Sequence, residues 1–224
     1  MTSLAEAPPT VSRALLWAEF AALYVGAPLA LAFVLSPGMM WALLAGATLI
    51  GMWLLWRTPG FSWRELIRGP LAPGWRAPAA FAALTAAVAL ALTAWLLPGR
   101  LFALPRHAPG LWLLILVLYP ILSAAPQEAI YRVLFFRRYG ALFPGPRSAM
   151  LANAAVFSLA HLFLWNWVAP ALTFFGGLIF AWAWRSAGPR GGFLFATFLH
   201  AIAGWIIFTS GLGTFFFHGG VPGG

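Results

Sequence analysis

Apolar residues fill most of this chain in long windows, and the breaks between them fall at Pro, Gly and Arg. Crossing a bilayer takes about 20 predominantly apolar residues in a helix. On that measure the pattern predicts seven helices, at 14–35, 39–56, 78–97, 110–136, 148–166, 170–184 and 192–210. The fold class is all-α: a polytopic transmembrane helix bundle of about seven spans, six to eight allowing for weak boundaries. Residues 1–13 read as a polar N-terminal tail, 14–109 as N-terminal membrane helices with a basic loop, 110–215 as the part that carries chemistry, and 216–224 as a tail. Further spans follow the first apolar run, so it reads as a membrane helix and not as a cleaved signal.

Composition strengthens this picture. The chain is 62% hydrophobic and 8% charged, with mean hydropathy +0.89, values that a soluble fold of this length does not sustain. Cysteine is absent, which removes disulfides, thiolate metal sites and cysteine nucleophiles.

The net charge of +9 comes from 13 basic residues, all Arg. Their positions matter more than their sum. They lie mostly between apolar runs, which marks them as topology determinants and anchors for membrane lipids, with no nucleic-acid surface among them. With the N-terminus inside, the inner loops hold Arg13, Arg57, Arg64, Arg68, Arg76, Arg137, Arg138, Arg147, Arg185 and Arg190, and the outer loops hold Arg100 and Arg106. That asymmetry predicts N-in and C-out. The loop 57–77 contains Trp63, Arg64, Leu66, Ile67, Arg68 and Trp75, a composition suited to a short amphipathic segment at the interface or to an ordinary basic loop.

Arg132 stands apart from the other arginines because it lies within a span, four residues after Glu128. Charges at membrane depth cost about 2.5–3.5 kcal/mol each on insertion scales, so they mark candidate functional sites. The i, i+4 spacing puts both on one helix face, where they can pair. Pro120 and Pro126 precede them, predicting a kink or break just ahead of Gln127 and a restarted helix with Gln127 and Glu128 in its first turn.

Two other helices add polar groups. The fifth span carries Asn153, Phe157, Ser158 and His161, and the seventh carries His200. One buried histidine is ordinary packing. Two imidazoles with a carboxylate in a wet pocket can activate water directly, or can hold a divalent metal such as zinc through Glu128, His161 and His200. Both routes lead to hydrolysis, and the spacing leaves them open.

The ordered segments Gln127-Glu128-Ala129-Ile130-Tyr131-Arg132, Phe157-Ser158-Leu159-Ala160-His161 and His200-Ala201-Ile202-Ala203-Gly204 resemble the motifs of the CAAX protease and bacteriocin-processing family, also called the abortive-infection family. Those motifs are Glu-Glu-x-x-x-Arg, Phe-x-x-x-His and His-x-x-x-Asn/Asp on separate helices. The likeness covers about 110–215, and the Pro126-Gln127-Glu128 start resembles a bacterial branch.

The resemblance implies an intramembrane endopeptidase in a bacterial inner membrane, acting on a membrane-associated protein or peptide. Glu128 with His161 would activate water, His200 would stabilise the oxyanion and Arg132 would orient Glu128, with Gln127, Phe157, Asn153 and Gly204 as supporting positions. Two positions depart from the motifs. Gln127 stands where the family has the glutamate usually assigned as base, and Gly204 where it has a polar residue that polarises the scissile carbonyl. The alternative is therefore a chain that keeps the fold as a partner- or peptide-binding module.

The remaining titratable groups carry no assigned chemistry: Glu19 is expected near the interface or capping a neighbour, and Glu6, Glu65, His107 and His218 lie in loops or termini. Gly176-Gly177 in the sixth span reads as a close helix-packing point.

Overall fold

The computed structural model describes residues 11–34, 39–187 and 192–216. Arg190, Glu6 and His218 lie outside the described residues. A helix is present at each expected position: α1 (Arg13–Phe33), α2 (Met40–Trp56), α3 (Arg76–Leu96), α4 (Pro109–Leu142), α5 (Pro146–Leu159), α6 (Val168–Ser186) and α7 (Phe193–Ser210). Six stretches containing these helices are long and apolar enough to cross a membrane, and the apolar part of α2, Ala45–Trp56, is shorter. No strand occurs among the described residues. The protein is an integral membrane protein built as a helix bundle. A one-turn helix at Ala103–His107 and 3-10 turns at Trp63–Ile67 and Leu212–Phe215 join or follow the spans.

The bundle is organised around α4. Its Leu113, Val117, Ile121 and Leu122 side chains stay exposed, as suits a lipid-facing surface, whereas Val133, Leu134, Phe135 and Tyr139 are buried against Phe20 and Tyr24 of α1 and Leu54 and Leu55 of α2. Aromatic rings meet edge-on through this region, including Phe20 with Phe135 at 5.9 Å and Tyr24 with Tyr131 at 5.5 Å. Such contacts supply the van der Waals packing that holds membrane helices together when lipid is as apolar as the core.

The expected break at Pro126 is absent. Helix α4 runs continuously through both prolines and absorbs them in π-helical turns at Pro120–Ala124 and Ala129–Tyr139. Widening the turn relieves the clash of the proline ring with the preceding carbonyl while keeping the helix intact. Glu128 therefore sits in mid-helix, and no free helix end stabilises its charge.

Side chains from neighbouring helices serve the carbonyls of this irregular stretch. Pro120 has no N–H to give Leu116, and the Leu116 carbonyl accepts from Trp205 Nε1 of α7 at 2.9 Å. Tyr24 Oη of α1 donates to the Ile130 carbonyl at 2.6 Å, and Asn153 Nδ2 of α5 donates to the Tyr131 carbonyl. Irregular backbone at membrane depth survives where protein satisfies it in this way.

Two residues expected to be idle are structural. Glu19 of α1 accepts a two-pronged bond from Arg138, at 2.6 Å from Nε and 2.8 Å from Nη2, and a weaker bond from Tyr139 at 3.3 Å. Glu65, in the 3-10 turn of the basic loop, is buried and pairs with Arg137. In the basic loop Trp63, Ile67 and Trp75 are exposed, and the Glu65 carboxylate faces inward. Gly177 does mark a close approach, since a Cβ there would lie 3.1 Å from the Ala154 Cα of α5.

Arg138→Ala removes the clamp between α1 and α4. The expected loss is about 1–2 kcal/mol, below the range for a fully buried pair because Glu19 keeps some solvent contact. Thermal unfolding in detergent micelles checks this, and the swap of Glu19→Arg with Arg138→Glu should recover part of the loss.

Candidate active site

Glu128 and Arg132, one turn apart on α4, are both fully inaccessible. Arg132 Nε lies 3.2 Å from Glu128 Oε2, and the guanidinium supplies the countercharge that a buried carboxylate requires. The Arg132 guanidinium carbon also sits 4.6 Å from the centre of the Phe157 ring and 5.5 Å from that of Phe180. Two π faces thus take the place of a second anion.

The other Glu128 oxygen reaches across the bundle. Oε1 lies 2.8 Å from Nδ1 of His200 in α7, so the carboxylate accepts the Nδ1 proton and Nε2 is the ring nitrogen left for other partners. The His200 ring stacks on Phe180 of α6 at 4.8 Å and 14°, and meets the edges of Phe157 at 5.6 Å and Tyr119 at 5.9 Å. Its orientation is fixed from all of these directions.

His161 occupies a different kind of position from the one expected. Helix α5 ends at Leu159, and His161 lies in the turn beyond it. Its Nδ1 is 2.8 Å from the Phe157 carbonyl, one of the acceptors that a helix end leaves without an amide partner. Nδ1–H donation there frees Nε2, and the ring is only partly buried. Phe157 lies between the two imidazoles, with its centre 4.9 Å from His161. No hydrogen bond or ion pair joins His161 to Glu128 among the described residues. Asn153 is buried on α5 and serves the backbone of α4 as described above.

The donor set does not fit a divalent metal. Glu128 Oε1 is bonded to His200 Nδ1, the guanidinium 3.2 Å from Oε2 would repel a cation, and the described residues contain no cluster of three or more His, Cys, Asp or Glu able to hold an ion. A cleft of about 500 Å³ lined by Phe136, Phe143, Trp184 and Arg185 includes none of the three motif groups Glu128, His161 or His200.

The two departures from the motifs have structural partners. The Gln127 side chain donates to Ser123 Oγ at 2.9 Å. Gly204, one turn beyond His200, lies so close to Tyr119 of α4 that a Cβ on it would overlap the ring. Sequence reasoning missed Tyr119, Ser123 and Phe180. Tyr119, Ser123 and Gln127 repeat every four residues on one helix, a spacing visible in the chain, whereas nothing in the sequence places Phe180 on His200.

Residues 109–206, from the start of α4 into the last turn and a half of α7, match the family model described as type II CAAX prenyl endopeptidase Rce1-like. This segment is Rce1-like. No curated protein matches the chain, and no solved structure does. The matched segment contains all three motifs and every group in the geometry above, so the similarity to that family falls where the candidate site lies. Helices α1 to α3 lie outside the match and brace that segment.

Arg132→Met strands the Glu128 carboxylate in an apolar interior, and the expected cost is about 3–5 kcal/mol. Adding Glu128→Gln should restore most of it. Unfolding curves of the three proteins in mixed micelles provide the check.

Proposed function

We propose that this protein is an intramembrane endopeptidase that hydrolyses a peptide bond of a membrane-associated protein or peptide, with His200 braced by Glu128 as the base that activates water. The observation that carries this reading is the buried 2.8 Å contact between His200 Nδ1 and Glu128 Oε1. A carboxylate in that position fixes the tautomer with Nε2 unprotonated and stabilises the imidazolium formed when Nε2 takes a proton. Glu128 itself is a poor candidate for direct attack on water, because it is inaccessible, with Oε1 bonded to His200 and Oε2 facing the Arg132 guanidinium. This shifts the base from Glu128, the carboxylate that remains once position 127 is an amide, to the histidine it supports.

His161 Nε2 accepts from the second hydrogen of the same water and orients its lone pair toward the scissile carbon. The water oxygen forms a bond to that carbon, its proton passes to His200 Nε2, and the carbonyl π electrons move to oxygen. Collapse reforms the carbonyl, breaks the C–N bond and returns the proton from His200 to the departing amine. Arg132 orients Glu128 throughout. The Pro126-Gln127-Glu128 start supports a bacterial cytoplasmic membrane as the setting, with the N-terminus inside.

A second reading, a membrane protein that uses this fold to bind a partner or peptide without cleaving it, is favoured by the amide at Gln127 and the missing side chain at Gly204. One assay separates the two. The protein is reconstituted in liposomes and given an internally quenched peptide ending in an S-farnesylated CAAX sequence, the substrate class in the family's description. Cleavage that falls at least about a hundredfold in His200→Ala and His161→Ala is the expected result. Unchanged cleavage in both variants would sink the mechanism, and saturable binding without cleavage by the unaltered protein would favour the binding module.

A further inference from the structure

The mechanism above leaves one requirement unmet. A tetrahedral intermediate needs a hydrogen-bond donor for its oxyanion, yet His200 and His161 both present acceptors in the neutral tautomers that their Nδ1 partners fix, and Gly204 offers no side chain. We propose that Tyr119 supplies this donor, and that Gln127 and Ser123 align it. The inference rests on the endopeptidase reading and adds a residue to it.

The Tyr119 ring stands in the space where a side chain on residue 204 would lie, one turn from His200 on the same face of α7. Its edge packs on the His200 ring, with centres 5.9 Å apart. Unlike Glu128, the residue as a whole keeps some exposure. Its position suits a donor aimed at the atom where negative charge develops.

The direction of the hydrogen bonds along α4 decides what the phenol can do. Gln127 Nε2 donates to Ser123 Oγ at 2.9 Å, and Tyr119 lies one further turn back on the same helix face. A serine oxygen that accepts from an amide turns its own hydrogen onward. In the proposed arrangement Ser123 donates to the Tyr119 oxygen, which leaves the phenol O–H free to donate. A carboxylate at position 127 would accept from Ser123 and reverse this order. The amide at 127 and the glycine at 204 are therefore two halves of one arrangement: the first orients the chain of donors, and the second makes room for its last ring. During the reaction Tyr119 donates a hydrogen bond to the oxyanion and transfers no proton, so the atom balance of the hydrolysis is unchanged.

Tyr119→Phe tests the proposal in the same liposome assay, because it deletes the hydroxyl and keeps the ring against Gly204. The expected result is a fall in kcat of about 10²–10³ with KM unchanged, the usual cost of one oxyanion donor. A purely structural role for the ring would leave kcat alone. Ser123→Ala should lower kcat by a smaller factor, since Tyr119 keeps its hydroxyl and loses only its alignment. The pair Tyr119→Ala with Gly204→Asn puts an amide donor into the vacated space and should exceed Tyr119→Ala alone in kcat by about tenfold or more. If Tyr119→Phe cleaves at the unaltered rate while His200→Ala and His161→Ala do not cleave, the inference is wrong and the endopeptidase reading stands. If neither histidine matters, or the unaltered protein leaves the peptide intact, the reading fails and takes the inference with it.

Discussion

Charge neutralisation in a medium that cannot solvate charge is the constraint on which this structure depends. Glu19, Glu65 and Glu128 are the acidic residues among those described, and each faces an arginine of the same helix: Arg138, Arg137 and Arg132. Helix α4 is thereby tied to α1, to the basic loop and, through Glu128, to His200 of α7. The two pairs near its C-terminal end anchor the helix, and the deep pair orients the imidazole that the proposed chemistry uses. A helix free to slide or rotate within the bundle could not keep a 2.8 Å contact to a side chain on another helix.

The prolines of α4 follow from the same constraint. A broken helix would expose several backbone groups to hydrocarbon, whereas a π-helical turn confines the defect to a few carbonyls, and side chains of α1, α5 and α7 reach those at Leu116, Ile130 and Tyr131. Each such bond runs between helices. The irregularity that interrupts the backbone ladder of α4 is thus also what connects it to its neighbours.

Much of this was legible from the sequence, for identifiable reasons. Seven spans follow from hydropathy because lipid imposes a single rule on every helix. The Glu128–Arg132 pair follows from i, i+4 spacing, since the helix that carries both runs unbroken between them. The rest was hidden where the answer depended on other helices. Glu19 and Glu65 looked idle because their partners are more than 70 residues away in the chain. Pro126 looked like a break because proline statistics describe isolated helices, not one whose carbonyls are served from outside. His161 was placed on the α5 face, but the helix stops at Leu159 and the imidazole serves its end. Gly204 read as a loss because sequence shows the missing side chain and not the tyrosine that fills its place.

That last packing has an evolutionary consequence. Any side chain added at position 204 overlaps Tyr119, so the family's Asn or Asp cannot return by one substitution. Shrinking Tyr119 first would open a void beside His200 and remove its edge contact. Each single step away from the present arrangement is unfavourable, although the two together need not be. Positions 119 and 204 therefore form one unit of packing that can change only as a pair.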